Sequence, residues 1–432
     1  MLDPPGGPGR GPSDPTERGA DRRPGDTLRR VLGAADSGVG AATMRELVAT
    51  LARLERRAGS AGERQAADLL AAELREAGAA ARVEDAPFRD GYARLMLPLG
   101  TAATLAGVAA LVGRSRWRAA AVGLLTGAAM ADDAANGPRI WRRLATRERT
   151  TTNVVAEIGD EAAERTLVVL AHHDAAPTGR IFDQSLQRWL ARRFPGLVER
   201  ARSSFPIWWP IVAAPLVIAA GALTGRRAIS AVGTAMGTVN GLIGLDIARM
   251  RIVPGANDNL SGVAVLAGLA HRLAADPIPG LRVVLASCGA EEVLQGGIYP
   301  FAQRHLRDRD PQRTWVLNLD TVGSPQLVLL EGEGVLWIED YAEPGFRDLI
   351  ADSAEREEIP LVRGMRARSS TDSVVPSRAG FPTATLTSFE PDTKALSNYH
   401  LPTDTPENLD FTTVGDALAL TEAVARRLAA AA

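Results

Sequence analysis

Five short stretches of the chain, far apart in sequence, carry the side chains from which zinc sites are built. They are His172-His173-Asp174, Asn257-Asp258-Asn259-Leu260-Ser261-Gly262, Glu291-Glu292, Asn318-Leu319-Asp320 and Tyr399-His400. Imidazole nitrogens and carboxylate oxygens are the ordinary donors of a catalytic zinc. A glutamate beside a ligand, but not itself one, is placed to move a proton. Taken singly, each stretch is weak evidence: a Glu-Glu pair is most often a solvated helix start, and a lone loop histidine rarely has a function. Taken together and in this order, they outline a two-metal hydrolase.

The elements around these stretches give them a common address. Leu167–Ala171, Leu281–Ser287 and Trp315–Leu319 are β-branched or apolar runs that read as buried strands. His172-His173-Asp174 directly follows the first, Glu291-Glu292 shortly follows the second, and Asp320 directly follows the third. In open α/β sheets, catalytic residues gather in loops at the carboxyl ends of strands. Further strands are expected at Ala80–Phe88, Asn153–Ile158, Gln326–Leu330 and Thr383–Leu386. Helices are expected around Met44–Leu54, Ala66–Leu74, Gly262–Leu273 and Thr412–Ala429. This alternation predicts an α/β fold: a mixed, mostly parallel central sheet with helices on both faces. His173 points away from His172 and Asp174 on an extended chain, so it is not expected to be a ligand. His271 and His305 lie among arginines and read as solvated surface residues.

Composition narrows the function classes. The 432 residues carry a net charge of −2, with no basic excess that would favour nucleic acid. The single cysteine, Cys288, excludes an internal disulfide framework and reads as a buried apolar filler. Residues 1–40 are rich in Gly, Pro and Arg and read as a disordered arm. The start of the chain lacks the basic-then-apolar pattern of a cleaved signal. Residues 41–432 form the expected catalytic domain, interrupted by apolar helical hairpins at 95–131 and 207–245. Leu95–Val112 and Ile207–Leu223 carry no charge, and each hairpin has arginines in its turn: Arg114, Arg116 and Arg118, then Arg226 and Arg227. A membrane-crossing helix needs roughly 17–25 apolar residues, and Trp117, Trp141, Trp208 and Trp209 stand at segment ends, where interfacial rings belong. The alternative is a pair of Ala/Gly-rich hairpins buried in a soluble protein or an oligomer interface. Small residues at Gly221, Gly225, Gly233, Gly237, Gly241 and Gly244 predict hairpins packed side by side, with Asn240 and Asp246 turned away from hydrocarbon.

The stretches "AHHDA", "PGANDNLSGVAVL", "GAEEVLQGG", "LNLDTVGS" and "NYHLPTDTPENLD" resemble the motifs of the di-zinc exopeptidases of metallopeptidase family twenty-eight. That resemblance covers roughly Met44–Phe88 and Thr151 to the end, excluding the second apolar insertion. It implies that His172 and Asp320 bind one zinc, that Glu292 and His400 bind the other, and that Asp258 bridges them. It also implies that Asp174 orients the imidazole of His172 and that Glu291 is the general base. Two zincs roughly 3.5–4 Å apart stabilise both the attacking oxygen and the developing oxyanion. The implied activity is hydrolysis of terminal peptide bonds, most economically as an aminopeptidase acting on a peptide substrate with two zinc ions per chain.

The chain departs from the family pattern in two places. Thr371-Asp372-Ser373 stands where Ser-Asp-His is common, in a region that shapes the substrate end. The second hairpin also lengthens the usually short interval between Asp174 and Asp258. Both ends of each hairpin return to one catalytic domain, which places that domain on one side of the bilayer. Arg89, Arg94, Arg142, Arg143, Arg192, Arg193, Arg249 and Arg251 crowd the domain side, which favours the cytoplasm. Two rival readings remain: a single-zinc, glutaminyl-cyclase-like transferase, and a non-catalytic binding domain on the same fold. Assembly into an oligomer is compatible with either hairpin reading.

Overall fold

The computed structural model describes residues 38–430. The arm expected over 1–40 lies outside them, apart from its last three residues, which already open the first helix. The helices are α1 (Gly38–Leu51), α2 (Ala61–Glu76), α3 (Ala93–Leu111), α4 (Arg116–Ala134), α5 (Ile140–Ala145), α6 (Ser185–Arg193) and α7 (Pro195–Arg200). They continue with α8 (Trp209–Thr224), α9 (Arg227–Arg249), α10 (Ser261–Ala275), α11 (Ile298–His305), α12 (Pro344–Arg356), α13 (Val374–Arg378) and α14 (Phe411–Ala430). The strands are β1 (Ala80–Arg89), β2 (Glu148–Gly159), β3 (Thr166–His172), β4 (Arg282–Cys288), β5 (Thr314–Leu319), β6 (Gln326–Glu333), β7 (Glu339–Asp340), β8 (Val362–Ala367) and β9 (Thr383–Phe389).

They form one mixed sheet in the order β1-β2-β4-β3-β5-β9-β6-β7, with β8 paired to β6. Its centre, β4-β3-β5-β9, is parallel. Antiparallel pairs extend it on both sides: β1 with β2 and β2 with β4 on one, β6 with β9 and β6 with β7 on the other. Alternation along the central strands sends side chains to two cores. Leu167, Val169 and Ala171 of β3 join α1, α2, α10 and α14 on the larger face, while Val168 and Leu170 meet Ile298 and Phe301 of α11 on the other. Buried on both faces, these strands read as continuous apolar runs. Strand β3 ends at His172, and Asp320 directly follows β5, so the parallel centre delivers both to one edge.

The second helix shows how local signals reach the site. Ser60 caps α2 by accepting the backbone N–H of Glu63. Glu63 turns back to accept from Gly59 N at 2.9 Å, a relative of the capping box. Its other oxygen accepts from the Thr151 hydroxyl at 2.6 Å and from Ala290 N at 3.0 Å, so the cap also braces the turn leading to Glu291.

Helices α3 and α4 form one apolar hairpin and α8 and α9 the other, and the two pack together. Small residues set the spacing. A Cβ on Gly221 would lie 2.4 Å from Ser230 N, and one on Gly233 would lie 2.7 Å from Ile218 N, so neither position accepts a side chain without separating backbones. The outer face keeps Leu105, Leu125, Val232 and Leu242 exposed. Asn240 Nδ2 donates to Pro210 O at 2.8 Å, and Asp246 accepts the Arg180 N–H at 2.7 Å. Buried Arg142 joins the first hairpin to the sheet. It makes a two-point pair with Asp133 and donates to the carbonyls of Arg89, Gly91 and Val293.

Candidate metal centre

His172, Asp258, Glu291, Glu292, Asp320 and His400 converge beyond the carboxyl ends of β3, β4 and β5. Asp258 stands between the two imidazoles. Its Oδ1 lies 3.2 Å from His172 Nε2, and its Oδ2 lies 3.2 Å from His400 Nε2. Glu292 Oε2 is also 3.2 Å from His400 Nε2, and Glu291 Oε2 is 4.0 Å from His172 Nε2. Donor atoms of His172, Asp258 and Glu292 all fall within 4.8 Å of one another. Asp320 accepts the Thr321 hydroxyl at 2.9 Å and is close enough to His172, Asp258 and His400 for their charges to act on it.

Asp174 holds the site together from behind. Its two oxygens accept the backbone N–H groups of Glu291 and Glu292 at 3.0 and 3.1 Å, while Oδ1 lies 3.4 Å from His172 Nδ1. One carboxylate thereby fixes the Glu-Glu turn and stands beside the His172 imidazole. Left-handed backbone occurs at Ala290, Thr321 and His400, all non-glycine residues at or beside the cluster. Such conformations are held against their cost by surrounding structure and concentrate at functional sites.

The remaining histidines lie outside the cluster. His173 is buried with Nδ1 2.9 Å from Ser287 Oγ, and burial pushes its pKa down to about 4. His271 and His305, expected as solvated surface residues, are only partly exposed. Each is half-buried against a glutamate, Glu73 at 2.7 Å and Glu84 at 2.9 Å. Cys288 is buried as expected, and burial together with nearby Asp372 pushes its thiol well above the usual range.

Carboxylates outnumber imidazoles here, and the cost appears in their protonation. Burial raises Glu291 well above its ordinary value against the pull of His172, with Asp372, Asp320 and Glu292 adding to the rise. Burial lifts Glu292 to about 7, Asp320 to about 6 and Asp372 to about 8. Burial also opposes ionisation of Asp258, but its two imidazoles prevail and hold it well below the carboxylate range. His400 is lifted to about 10 by Glu292 and Asp258 against the effect of burial. Both ring nitrogens of His400 and Oε1 of Glu292 are buried without a hydrogen-bond partner. Unpaired buried donors and acceptors are costly. This concentration of carboxylate charge around two imidazoles fits bound divalent metal.

Several residues of the site escape a reading of motifs. Arg56 is fully buried and donates to the carbonyls of Leu51, His173, Pro254 and Gly255 at 2.7–3.0 Å, tying the His172 strand end to the Asp258 loop. Burial lowers its pKa only to about 10, so it remains a cation beside Asp404 and Asp174. Asp404 accepts the N–H groups of Asn257 and Asp258 at 2.7 and 3.2 Å. Gln295 donates to Glu291 Oε1 at 2.9 Å. The Phe182 ring lies 4.5 Å from that of His400. Asp372 is buried, and neither of its oxygens meets an N–H or O–H donor.

Residues 243–425 match the sequence profile of Peptidase family M28. This stretch, under half of the chain, is similar to Peptidase family M28. It contains Asp258, Glu291, Glu292, Asp320 and His400, whereas His172 and Asp174 precede it. No curated protein matches the chain in sequence. Solved structures extend the likeness beyond the matched stretch. An aminopeptidase from Aneurinibacillus sp. strain AM-1 superposes on 89% of this chain and 92% of its own, with 15% identity and a TM-score of 0.51. BSAP, a zinc aminopeptidase from Bacillus subtilis, superposes on 89% of this chain and 93% of its own, with 15% identity and a TM-score of 0.51. A Bacteroides thetaiotaomicron glutaminyl cyclase bound to N-acetylhistamine covers 89% of this chain and 97% of its own at 13% identity and a TM-score of 0.54. These likenesses show the zinc-exopeptidase fold.

Proposed function

We propose that the chain is a membrane-anchored, two-zinc exopeptidase, most economically an aminopeptidase, with one peptidase domain interrupted by the two hairpins. The observation that carries the reading is Asp258, which offers one oxygen to each of two imidazoles at 3.2 Å. That is the disposition of a carboxylate shared between two cations. His172 and Asp320 would hold one zinc, Glu292 and His400 the other. Zinc bound there supplies Lewis acidity and makes water acidic enough to react at neutral pH. Glu291 takes the proton of the attacking water at Oε2 and returns it to the leaving amine. Gln295 holds Oε1 at 2.9 Å, which leaves Oε2 free for that task. Asp174 keeps His172 and the Glu291-Glu292 turn in register.

The membrane half of the proposal rests on α3 and α9, both long and apolar enough to cross a bilayer. Only 28% and 17% of their apolar windows are buried, whereas a core helix of a soluble protein is mostly buried. At about 1.5 Å per residue, the 19 residues of α3 approach and the 23 residues of α9 exceed the roughly 30 Å of hydrocarbon. Arginines on the domain side favour a cytoplasmic peptidase.

Elemental analysis of active full-length protein is expected to find two zincs per chain, with cleavage of free-amino peptides and none of amino-blocked ones. One zinc at full activity supports the cyclase reading instead. Metal-free protein that cleaves nothing after zinc is restored supports a binding domain. Membranes washed with carbonate are expected to retain the chain; its release into the supernatant makes the hairpins a lid or an oligomer interface.

A further inference from the structure

An apolar cavity of about 310 Å³ lies within the hairpin bundle. Its walls include Tyr92, Met96, Ile181, Trp208, Ile211 and Ile247, and no charged side chain lines it. Two observations connect it to the site. Tyr92 packs edge-on to Trp208 at 5.7 Å and against the apolar cluster that includes Leu294, two residues after Glu292. Ile181 precedes Phe182, whose ring packs 4.5 Å from the His400 imidazole. The far end of the cavity reaches Gly100, Ala103 and Met130, well inside the bundle. Val239 and Phe205 line it while remaining 55% and 67% exposed, so it also opens onto the outer apolar face.

We infer that this cavity is the subsite for the apolar end of a peptide substrate that reaches the zinc-ligand cluster from the lipid phase. The inference rests on the peptidase reading and names its substrate class: hydrophobic peptides of the kind left by breakdown of membrane-spanning segments. The lining selects the occupant. Apart from the Tyr92 hydroxyl, the prominent polar side chain is Asn240, whose amide nitrogen is engaged with Pro210 O. A charged or strongly polar side chain would lose its hydration there without recompense. An apolar one leaves water or lipid at little cost. Ligand sites of this size are mainly apolar, with a few polar groups at one end. Under this inference the polar groups are those of the carboxylate and histidine cluster, which lies beyond the Tyr92 and Ile181 walls and would hold the scissile bond. The lateral opening allows the apolar body to enter without first crossing water.

The test uses full-length, zinc-loaded protein in detergent micelles and two tripeptide amides, Leu-Leu-Leu and Ala-Ala-Ala. The variants are Gly241→Phe and Gly100→Leu. Both positions line the cavity; a Cβ at Gly241 meets nothing within 4 Å, and one at Gly100 meets only Met130 Cε at 3.6 Å. Filling the cavity is expected to raise KM for the leucine peptide about tenfold, the scale set by apolar pocket contacts. KM for the alanine peptide and kcat for both should stay within about twofold of wild type. Titration calorimetry with a non-cleavable reduced-bond analogue of the leucine peptide is expected to show the same weakening. Unchanged KM for the leucine peptide in both variants overturns the inference, as does an equal rise for both peptides. A lipid that remains in the cavity while the leucine peptide turns over normally also overturns it. If wild type cleaves neither peptide, the peptidase reading falls. Binding of the analogue that Gly241→Phe weakens would then still support an apolar-peptide site.

Discussion

At the carboxyl ends of the central strands, charge is gathered out of water. Asp258, Glu291, Asp174 and His172 are buried, and backbone N–H groups, imidazoles and the Arg56 guanidinium hold them in place. In the hairpin bundle the arrangement is reversed. Small residues lie inside, at Gly221 and Gly233, while Leu105, Leu125 and Val232 face outward. The first region spends stability on positioning reactive groups, and the second exposes apolar surface that only lipid or a partner would welcome. The difference teaches where substitutions should act: on metal content and turnover in the first region, on substrate preference and partitioning in the second.

The largest effect is expected from Asp258→Ala. Removing the carboxylate that faces both imidazoles should lower zinc content at both positions, from two per chain to well below one, and abolish measurable turnover. Elemental analysis and activity on one preparation check this. Retention of both metals would break the assignment of Asp258 as the shared ligand.

Glu291→Gln sharpens the same region. The amide keeps the volume and a hydrogen-bonding partner for Gln295 but has no basic oxygen. Turnover is expected to fall by about two to four powers of ten with both zincs retained. Wild-type turnover would assign the proton transfer elsewhere.

His172 and Asp320 were legible in sequence because the strands feeding them are uninterrupted. Thr166–His172 and Thr314–Leu319 agree with the apolar runs to within a residue, and a strand buried on both faces leaves no ambiguity of pattern. Strand β8 was not legible: Arg363, Gly364 and Arg366 break its alternation, as befits a strand at the rim of a sheet. Arg56 carried no signal either, and Asp404, although inside the last of the quoted motif stretches, had no role assigned there. Arg56 sits in a polar turn after α1, yet three of its four partners are 117 to 199 positions away along the chain. Sequence patterns report local periodicity, whereas such braces are defined only by closure of the fold. Thr371-Asp372-Ser373 was legible only as a departure; the structure buries Asp372 near the cluster without a nitrogen or oxygen donor.

Arg56 allows the positioning framework to be tested apart from the metals. Arg56→Met removes donors from four carbonyls and takes away a buried cation on which Asp404 and Asp174 act. Breaking a buried charge network in this way costs about 3–5 kcal/mol. Denaturant unfolding should show that loss, with Arg56→Lys intermediate because an ammonium lacks the guanidinium's planar fork. An unchanged midpoint for Arg56→Met would mean that the loops are held by other contacts.

The smallest effect concerns the junction between the two regions. Asp246, near the end of α9, accepts the backbone N–H of Arg180 at 2.7 Å, and Arg180 lies two residues before Phe182, which packs against His400. The accompanying ion pair with the Arg180 side chain at 3.8 Å adds little, because that guanidinium is largely exposed. Asp246→Ala should therefore cost about 1 kcal/mol, the net worth of one hydrogen bond at a site that water can reach. If α9 steadies the wall beside His400, kcat/KM for a leucine peptide should fall about fivefold, the factor corresponding to that energy. Asp246→Asn retains an acceptor oxygen and should restore most of it. Equal values for Asp246→Ala and wild type would show that the bundle and the catalytic layer are coupled elsewhere, with the Arg142 pair to Asp133 and its contact with Val293 O the next link to cut.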